Sequence, residues 1–159
     1  EIIAWSVKND DLSDIGMNPF IIDVELNVSS LIEMAGNDII FKLGETIGEQ
    51  SEMYQASSRK MPVNINDAHN YFRKITFTIP EGYIISNPND LNMKVELLTD
   101  GKVSCCFNSW FELTDNKLVV FSKEYYTEVS YPAERFGEFR NVINAAADFN
   151  KKTVVLTKK

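Results

Sequence analysis

The sequence predicts a mainly β fold: an antiparallel β-sandwich, immunoglobulin-like or related, with one C-terminal α-helix. Three observations predict it. Segments such as Phe20, Ile22, Val24, Leu26 and Val28, set against Ile21, Asp23, Glu25 and Asn27, alternate apolar and polar residues with the period of two of a half-buried antiparallel strand. Turn-forming pairs (Gly36-Asn37, Asp100-Gly101, Asp115-Asn116) separate such segments. Only the stretch Tyr131 to Lys159 changes to a helical period.

The helix is expected near 132–150. Pro132 suits a first helical position, Glu134 lies near the positive end of the helix dipole, and Lys151 and Lys152 lie at the negative end. Phe136, Phe139, Val142, Ile143, Ala146 and Phe149 make one apolar stripe. Gly137 costs about 1 kcal/mol against Ala inside a helix, so the first turn is its weak point. Thr153 to Thr157 reads as a closing strand.

Taken in order, Glu1 to Val7 has the composition of a strand and Lys8 to Asn18 reads as a linker. Residues 1–18 are therefore expected to be a linker or an edge strand from a preceding domain, and residues 19–159 the sandwich. The chain starts without an initiator Met or signal peptide, as expected of a mature fragment or an excised domain. Ser30 to Ala35 and Asp38 to Leu43 flank Gly36-Asn37 as a hairpin. Gly44 to Pro62 breaks the β pattern and is longer than a plain connection needs. Its Gly44-x-x-x-Gly48 spacing lacks the Gly-Lys-Ser/Thr of a phosphate loop. In Tyr71 to Ile79, Ile75, Phe77 and Ile79 face in while Lys74, Thr76 and Thr78 face out; Pro80 and Gly82 stand second and fourth in the turn that follows.

Register can be read next. A two-residue Asp100-Gly101 turn sets the Met93, Val95, Leu97 face opposite that of Val103, Cys105 and Phe107. A three-residue loop, Thr99-Asp100-Gly101, pairs Leu97 with Val103 and brings the faces together, so it is the expected connection. Asp115-Asn116 needs two residues only, pairing Leu113 with Leu118 and Phe111 with Val120. Lys117 to Tyr131 is about twice a typical strand, with a bulge or sheet crossing expected at Ser122-Lys123-Glu124.

Composition excludes several functions. The net charge is −7 with a pI of about 4.8, so phosphate backbones and anionic membrane surfaces are disfavoured partners. No apolar run approaches the ~20 residues of a membrane span. His69 is the only histidine, and Cys105 and Cys106, adjacent on one strand, point to opposite faces. They are expected as free thiols rather than a disulfide, a Cys-His nucleophile or a zinc site. The carboxylates read as dispersed and solvent-facing, so no catalytic, cofactor or metal residue is assigned. Trp110 faces Phe121 on the side away from Phe111; with Tyr125 and Tyr126 it would bind sugar or protein if exposed. Apolar residues on both faces of a strand usually mean cover on both, so this side is expected to be core.

IGEQSEMYQASSRKMPV (Ile47 to Val63), ITFTIPEGYII (Ile75 to Ile85), SKEYYTEVSYP (Ser122 to Pro132) and VINAAADFNK (Val142 to Lys151) resemble a known family. It is the C-terminal domain of unknown function in bacterial transglutaminase-like, or cysteine-protease-like, envelope proteins. The resemblance runs from Phe20 to Lys159. It implies a sandwich-like accessory domain, last in a large exported protein, with a periplasmic or surface location. The Cys-His-Asp triad of the family's central core has no counterpart, so no catalytic residue carries over. The expected role is non-catalytic: supporting or docking the upstream core of the same polypeptide, with Met53 and Tyr54 of the long loop as apolar anchors and Arg59 as charge partner. The alternative is a glycan- or envelope-protein-binding module using Trp110, Tyr125 and Tyr126. An independent enzyme would instead require a cleft joining several ionisable groups.

Overall fold

The computed structural model describes all residues, Glu1–Lys159, in two compact units, Glu1–Leu31 and Ile32–Lys159. The first unit is a two-stranded antiparallel hairpin of β1 (Ile2–Lys8) and β2 (Ile21–Leu26). Trp5 pairs with Val24 and Val7 with Ile22 on one face; Ser6 pairs with Asp23 and Ala4 with Glu25 on the other. Lys8 and Asp23 form an ion pair at 2.8 Å across the strands. The sequence reading placed β2 in the sandwich as a half-buried strand. Instead it pairs with β1, every one of its residues is exposed, and it lies in the Glu1–Leu31 unit. Alternation identifies an apolar face; it does not say what covers it.

The second unit is mainly antiparallel β with one helix. Its strands are β3 (Ile32–Ala35), β4 (Asp38–Phe41), β5 (Val63–Asn64), β6 (His69–Thr78), β7 (Tyr83–Ile85), β8 (Met93–Thr99), β9 (Lys102–Leu113), β10 (Lys117–Tyr126), β11 (Ser130–Tyr131) and β12 (Val154–Lys158). One four-stranded sheet has the order β6-β10-β9-β8, a second the order β3-β4-β12-β7, and β5 pairs with β11. Phe41 of the second sheet stacks on Phe77 of the first at 4.7 Å. The β3–β4 hairpin turns at Gly36-Asn37 as the sequence requires, with Gly36 at φ +65°. The Pro80 turn is displaced by one residue: Tyr83 N–H donates to Pro80 O, which places Gly82, at φ +81°, third.

The β8–β9–β10 meander forms, and Leu113 meets Leu118 and Phe111 meets Val120 as expected. The first turn does not follow expectation. Thr99 pairs with Lys102 and Leu98 with Val103, a two-residue turn in which Asp100 (φ +51°) and Gly101 (φ +76°) both adopt left-handed backbone. The faces are reconciled by a β-bulge: Ser104 is the extra residue, and Leu97 pairs with Cys105 and Val95 with Phe107. Likewise β10 is unbroken through Ser122-Lys123-Glu124. The chain leaves the sheet later, at Thr127–Val129, where Thr127 N–H and its hydroxyl both donate to Ser104 O.

Helix α1 (Phe136–Asn150) follows a short 3-10 turn at Ala133–Arg135, so Gly137 sits in its first turn. Its stripe packs on the inner face of the first sheet, with Phe149 against Phe107, and Phe139 between Tyr126 and Tyr131. Phe139 and Val142 are buried while Ile143 is only half-buried. We expect Phe139→Ala to lower stability by about 3–5 kcal/mol, read as a fall in the urea midpoint. Glu138→Ala, which removes only an exposed pair with Arg135, should change it by less than about 1 kcal/mol.

The long segment after β4 is a strap along this helix. Gly44 lies so close that an added Cβ would stand 2.1 Å from Phe149 O, while Gly44 N–H donates to Lys152 O at 2.8 Å. Asn150 Nδ2 donates to Gly44 O and Gly48 O, and Asn144 both accepts from Met53 N–H and donates to Met53 O. Gly44→Ala should therefore destabilise by about 3 kcal/mol, the upper part of the usual overpacking range, measured by the same unfolding curves.

Candidate functional site

Period-two alternation sends the side chains of the first sheet to two chemically different faces. On β10, Leu118, Val120, Ser122, Glu124 and Tyr126 point inward and are buried; Val119, Phe121, Lys123 and Tyr125 point outward. The expected aromatic set is thus divided. Trp110 and Tyr125 lie on the outer face, whereas Tyr126 is 4% exposed and belongs to the core against Phe139 and His69.

The outer face forms rows across the strands. Trp110, Phe121 and Lys74 stand side by side; Asn108, Lys123 and Phe72 form the next row; Cys106, Tyr125 and Asn70 the next. Trp110 stacks on Phe121 with centroids 5.3 Å apart and planes 15° from parallel, and the Lys74 ammonium lies over the same Phe121 ring. Phe72 closes the group at 6.1 Å from Phe121 and 6.4 Å from Trp110. Contrary to the expectation of core, this face is not covered: Trp110 is 39% and Phe72 60% exposed. The helix and the contact with Phe41 both go to the inner face. Beside the aromatics, a groove of about 550 Å³ is lined by Asn70, Phe72, Lys123 and Tyr125, with His69 and Tyr126 at its end.

Phe72, Lys74 and Lys123 were not singled out from the sequence. The signal was present: carrying the alternation of Lys74, Thr76 and Thr78 back by two residues puts Phe72 on the same outward face.

The loop residues are also separated. Met53 is fastened through its backbone to Asn144, and Arg59 donates to Met61 O and Pro62 O. Tyr54, between them in sequence, is 88% exposed.

Ionisable chemistry concentrates on the inner face. Glu124, 6% exposed, corrects the reading of all carboxylates as solvent-facing. It accepts from Tyr126 Oη at 2.9 Å and pairs with Arg73 at 3.2 Å. Burial, then the adjacent Glu124 carboxylate, pushes the Tyr126 phenol far up, so it donates rather than ionises. Ser122 Oγ is buried beside this group without a partner. The Arg73 guanidinium balances the Glu124 charge at one oxygen, and the Tyr126 hydroxyl donates to the other. Nδ1 of His69 lies 2.7 Å from Asp67 O. No group of three or more His, Cys, Asp or Glu is placed to hold a metal ion.

Fold and surface thus define a mainly β module whose distinguishing surface is an exposed aromatic face. The chain belongs to the family described as a domain of unknown function with a solved structure (DUF3858), whose family model matches residues 37–156. No curated protein and no solved structure matches the chain. No helix is long and apolar enough to cross a membrane.

Both cysteines are free and completely buried. Burial pushes the Cys105 thiol up to about 12 and raises Cys106 as well. Since the thiolate is the nucleophile, iodoacetamide at pH 8.5 should leave the folded protein unmodified. In urea the same reagent should alkylate both residues, read by mass.

Proposed function

We propose that this chain is a non-catalytic accessory module of an exported, transglutaminase-like protein, and that the outer aromatic face docks its catalytic core. The observation that carries this reading is the exposed group Trp110, Phe121 and Phe72 on a rigid sheet. A tryptophan set among apolar rings has the composition of a protein contact centre, and the flanking lysines have that of its polar rim. The ring geometry favours protein over sugar. Sugar stacking needs an open aromatic face, and Phe121 has Trp110 on one side and Lys74 on the other. The exposed Tyr54 offers a further apolar anchor to the same core. The resemblance of Ile47–Val63 and Ser122–Pro132 to the transglutaminase-associated module supports the partner and a periplasmic or envelope location. The apolar face of the β1–β2 hairpin is assigned, on the same reading, to a preceding domain.

One observation favours the second reading, a glycan-binding module: the groove beside the platform carries Asn70, Lys123 and Tyr125 together, polar and aromatic groups suited to a sugar.

The test compares Trp110→Ala with Phe72→Ala in the isolated chain and in the parent protein. Docking predicts a larger loss in the parent than in the isolated domain, where Phe72→Ala should cost about 1 kcal/mol or less and Trp110→Ala more, because Trp110 is only 39% exposed and its stack on Phe121 contributes about 0.5–1.5 kcal/mol beyond its buried area. In the parent, core activity or interdomain stability should fall. Equal losses in both settings would make the face structural. Envelope glycan binding by the isolated domain, lost in Tyr125→Ala with the parent's interdomain stability intact, would establish the second reading instead.

A further inference from the structure

The chain has four arginines, and two of them, Arg73 and Arg135, are paired with carboxylates. The other two, Arg59 and Arg140, have no carboxylate oxygen within 4.0 Å, although the chain carries 23 acidic residues. Both are held over one ring: the Arg59 guanidinium carbon lies 5.0 Å and that of Arg140 5.8 Å from the centroid of Phe136. Phe136 is itself buried, so the ring is a fixed support. Arg59 is pinned further, Nε donating to Met61 O at 2.8 Å and Nη2 to Pro62 O at 3.3 Å. Its remaining donors, and the whole guanidinium of Arg140, have no hydrogen-bond partner within the protein.

These groups line a groove of about 410 Å³, shared with Ser57, Ser58 and Gly137. Gly137 supplies an independent pointer. It lies in the first turn of α1 with ordinary helical φ, and a Cβ there would meet nothing within 4 Å. Neither backbone conformation nor packing requires a glycine, and glycine weakens a helix. It does leave the groove open and the first-turn backbone accessible, at the end of the helix that carries partial positive charge. The one acid on the rim, Glu134, is exposed and pairs with neither arginine.

We infer that Arg59 and Arg140, supported on Phe136, form a receptor for an oxyanion, the carboxylate or phosphate group of a small ligand. Guanidinium forks match the two oxygens of either group. Two unpaired cations held beside one ring repel each other, and a bound anion removes that repulsion. The site is separate from the aromatic face, and its test does not involve the parent protein.

The test is a ¹H–¹⁵N NMR titration of the whole chain with inorganic phosphate and with succinate, each at constant ionic strength balanced by chloride. At least one anion should give saturable shifts confined to Ser57, Ser58, Gly137 and the arginine Nε–H signals. Saturation by phosphate alone assigns a phosphoryl ligand, by succinate alone a carboxylate ligand. Arg140→Gln should weaken the effective anion at least tenfold with the fold retained. Gly137→Ala should raise the melting temperature and yet weaken binding at least threefold, a combination that a merely structural glycine would not give. Shifts that are unsaturable, that chloride reproduces, or that survive Arg140→Gln unchanged would overturn the site.

Discussion

One extra residue in β9 sets the geometry of the larger unit. Without the bulge at Ser104, the two-residue Asp100-Gly101 turn would put Leu97 and Val95 on the opposite face from Cys105 and Phe107. With it, all four face the helix. The bulge also frees the Ser104 carbonyl from the ladder. That oxygen accepts from Thr127 N–H, the Thr127 hydroxyl and, at 3.1 Å, Tyr131 Oη. The Ser104 hydroxyl meanwhile donates to Leu97 O and accepts from Thr99. The same atoms that correct the register thus fix the point at which the chain leaves the sheet and turns into the helix. Tyr131, tied there, then carries Phe139 on its ring at 4.8 Å.

The helix in turn explains the length of the segment after β4. A connection from β4 to β5 could be short, but this one runs beside α1 from its C-terminal to its N-terminal end. Gly44 and Gly48 meet Asn150, Met53 meets Asn144, and Arg59 meets Phe136. Asparagine is a weak helix former, yet Asn144 lies inside α1 and Asn150 ends it. Asn144 and Asn150 are used here as side-chain partners for strap backbone that has no strand to pair with. Glu52 adds an exposed ion pair to Lys151, which contributes little beside these hydrogen bonds.

What was legible in the sequence follows from how local each feature is. The Gly36-Asn37 hairpin, the Leu113–Leu118 register and the helical stripe depend on neighbours in sequence, and each appears in the structure. The bulge is not local in this sense. Periodicity showed two faces in conflict, but a longer loop and a bulge resolve the conflict equally well on paper. Only the pairing of both ends decides, and two left-handed turn residues favoured the tight turn. The length of Lys117–Tyr131, about twice a typical strand, predicts a bulge or sheet crossing at Ser122-Lys123-Glu124. Ser122 and Glu124 are in fact inward and buried, with the Glu124 charge balanced by Arg73 and its other oxygen hydrogen-bonded by Tyr126, partners distant or unremarkable in sequence. The Gly44-x-x-x-Gly48 spacing matches no phosphate loop, and the reason for Gly44 is its close approach to the backbone of Phe149 and Asn150, more than a hundred residues along the chain.

The candidate site was half legible for the same reason. Alternation correctly set Trp110 beside Phe121, and it separates Tyr125 from Tyr126 once the register of β10 is known. Whether either face is covered depends on where the rest of the chain goes. The unit has one helix, and it packs on β8 and β9 from the side carrying Phe107. Nothing remains in Ile32–Lys159 to cover the other side, so the aromatics there cover one another. A stacked pair contributes only about 0.5–1.5 kcal/mol beyond its buried area. Mutual stacking therefore lessens the cost of exposure without abolishing it, since Phe72 and Trp110 keep much of their apolar surface in water. That remaining exposure distinguishes this face from the inner one, where Leu118, Val120 and Phe107 are wholly buried. A partner that completed the burial would recover the surface that the fold itself leaves open.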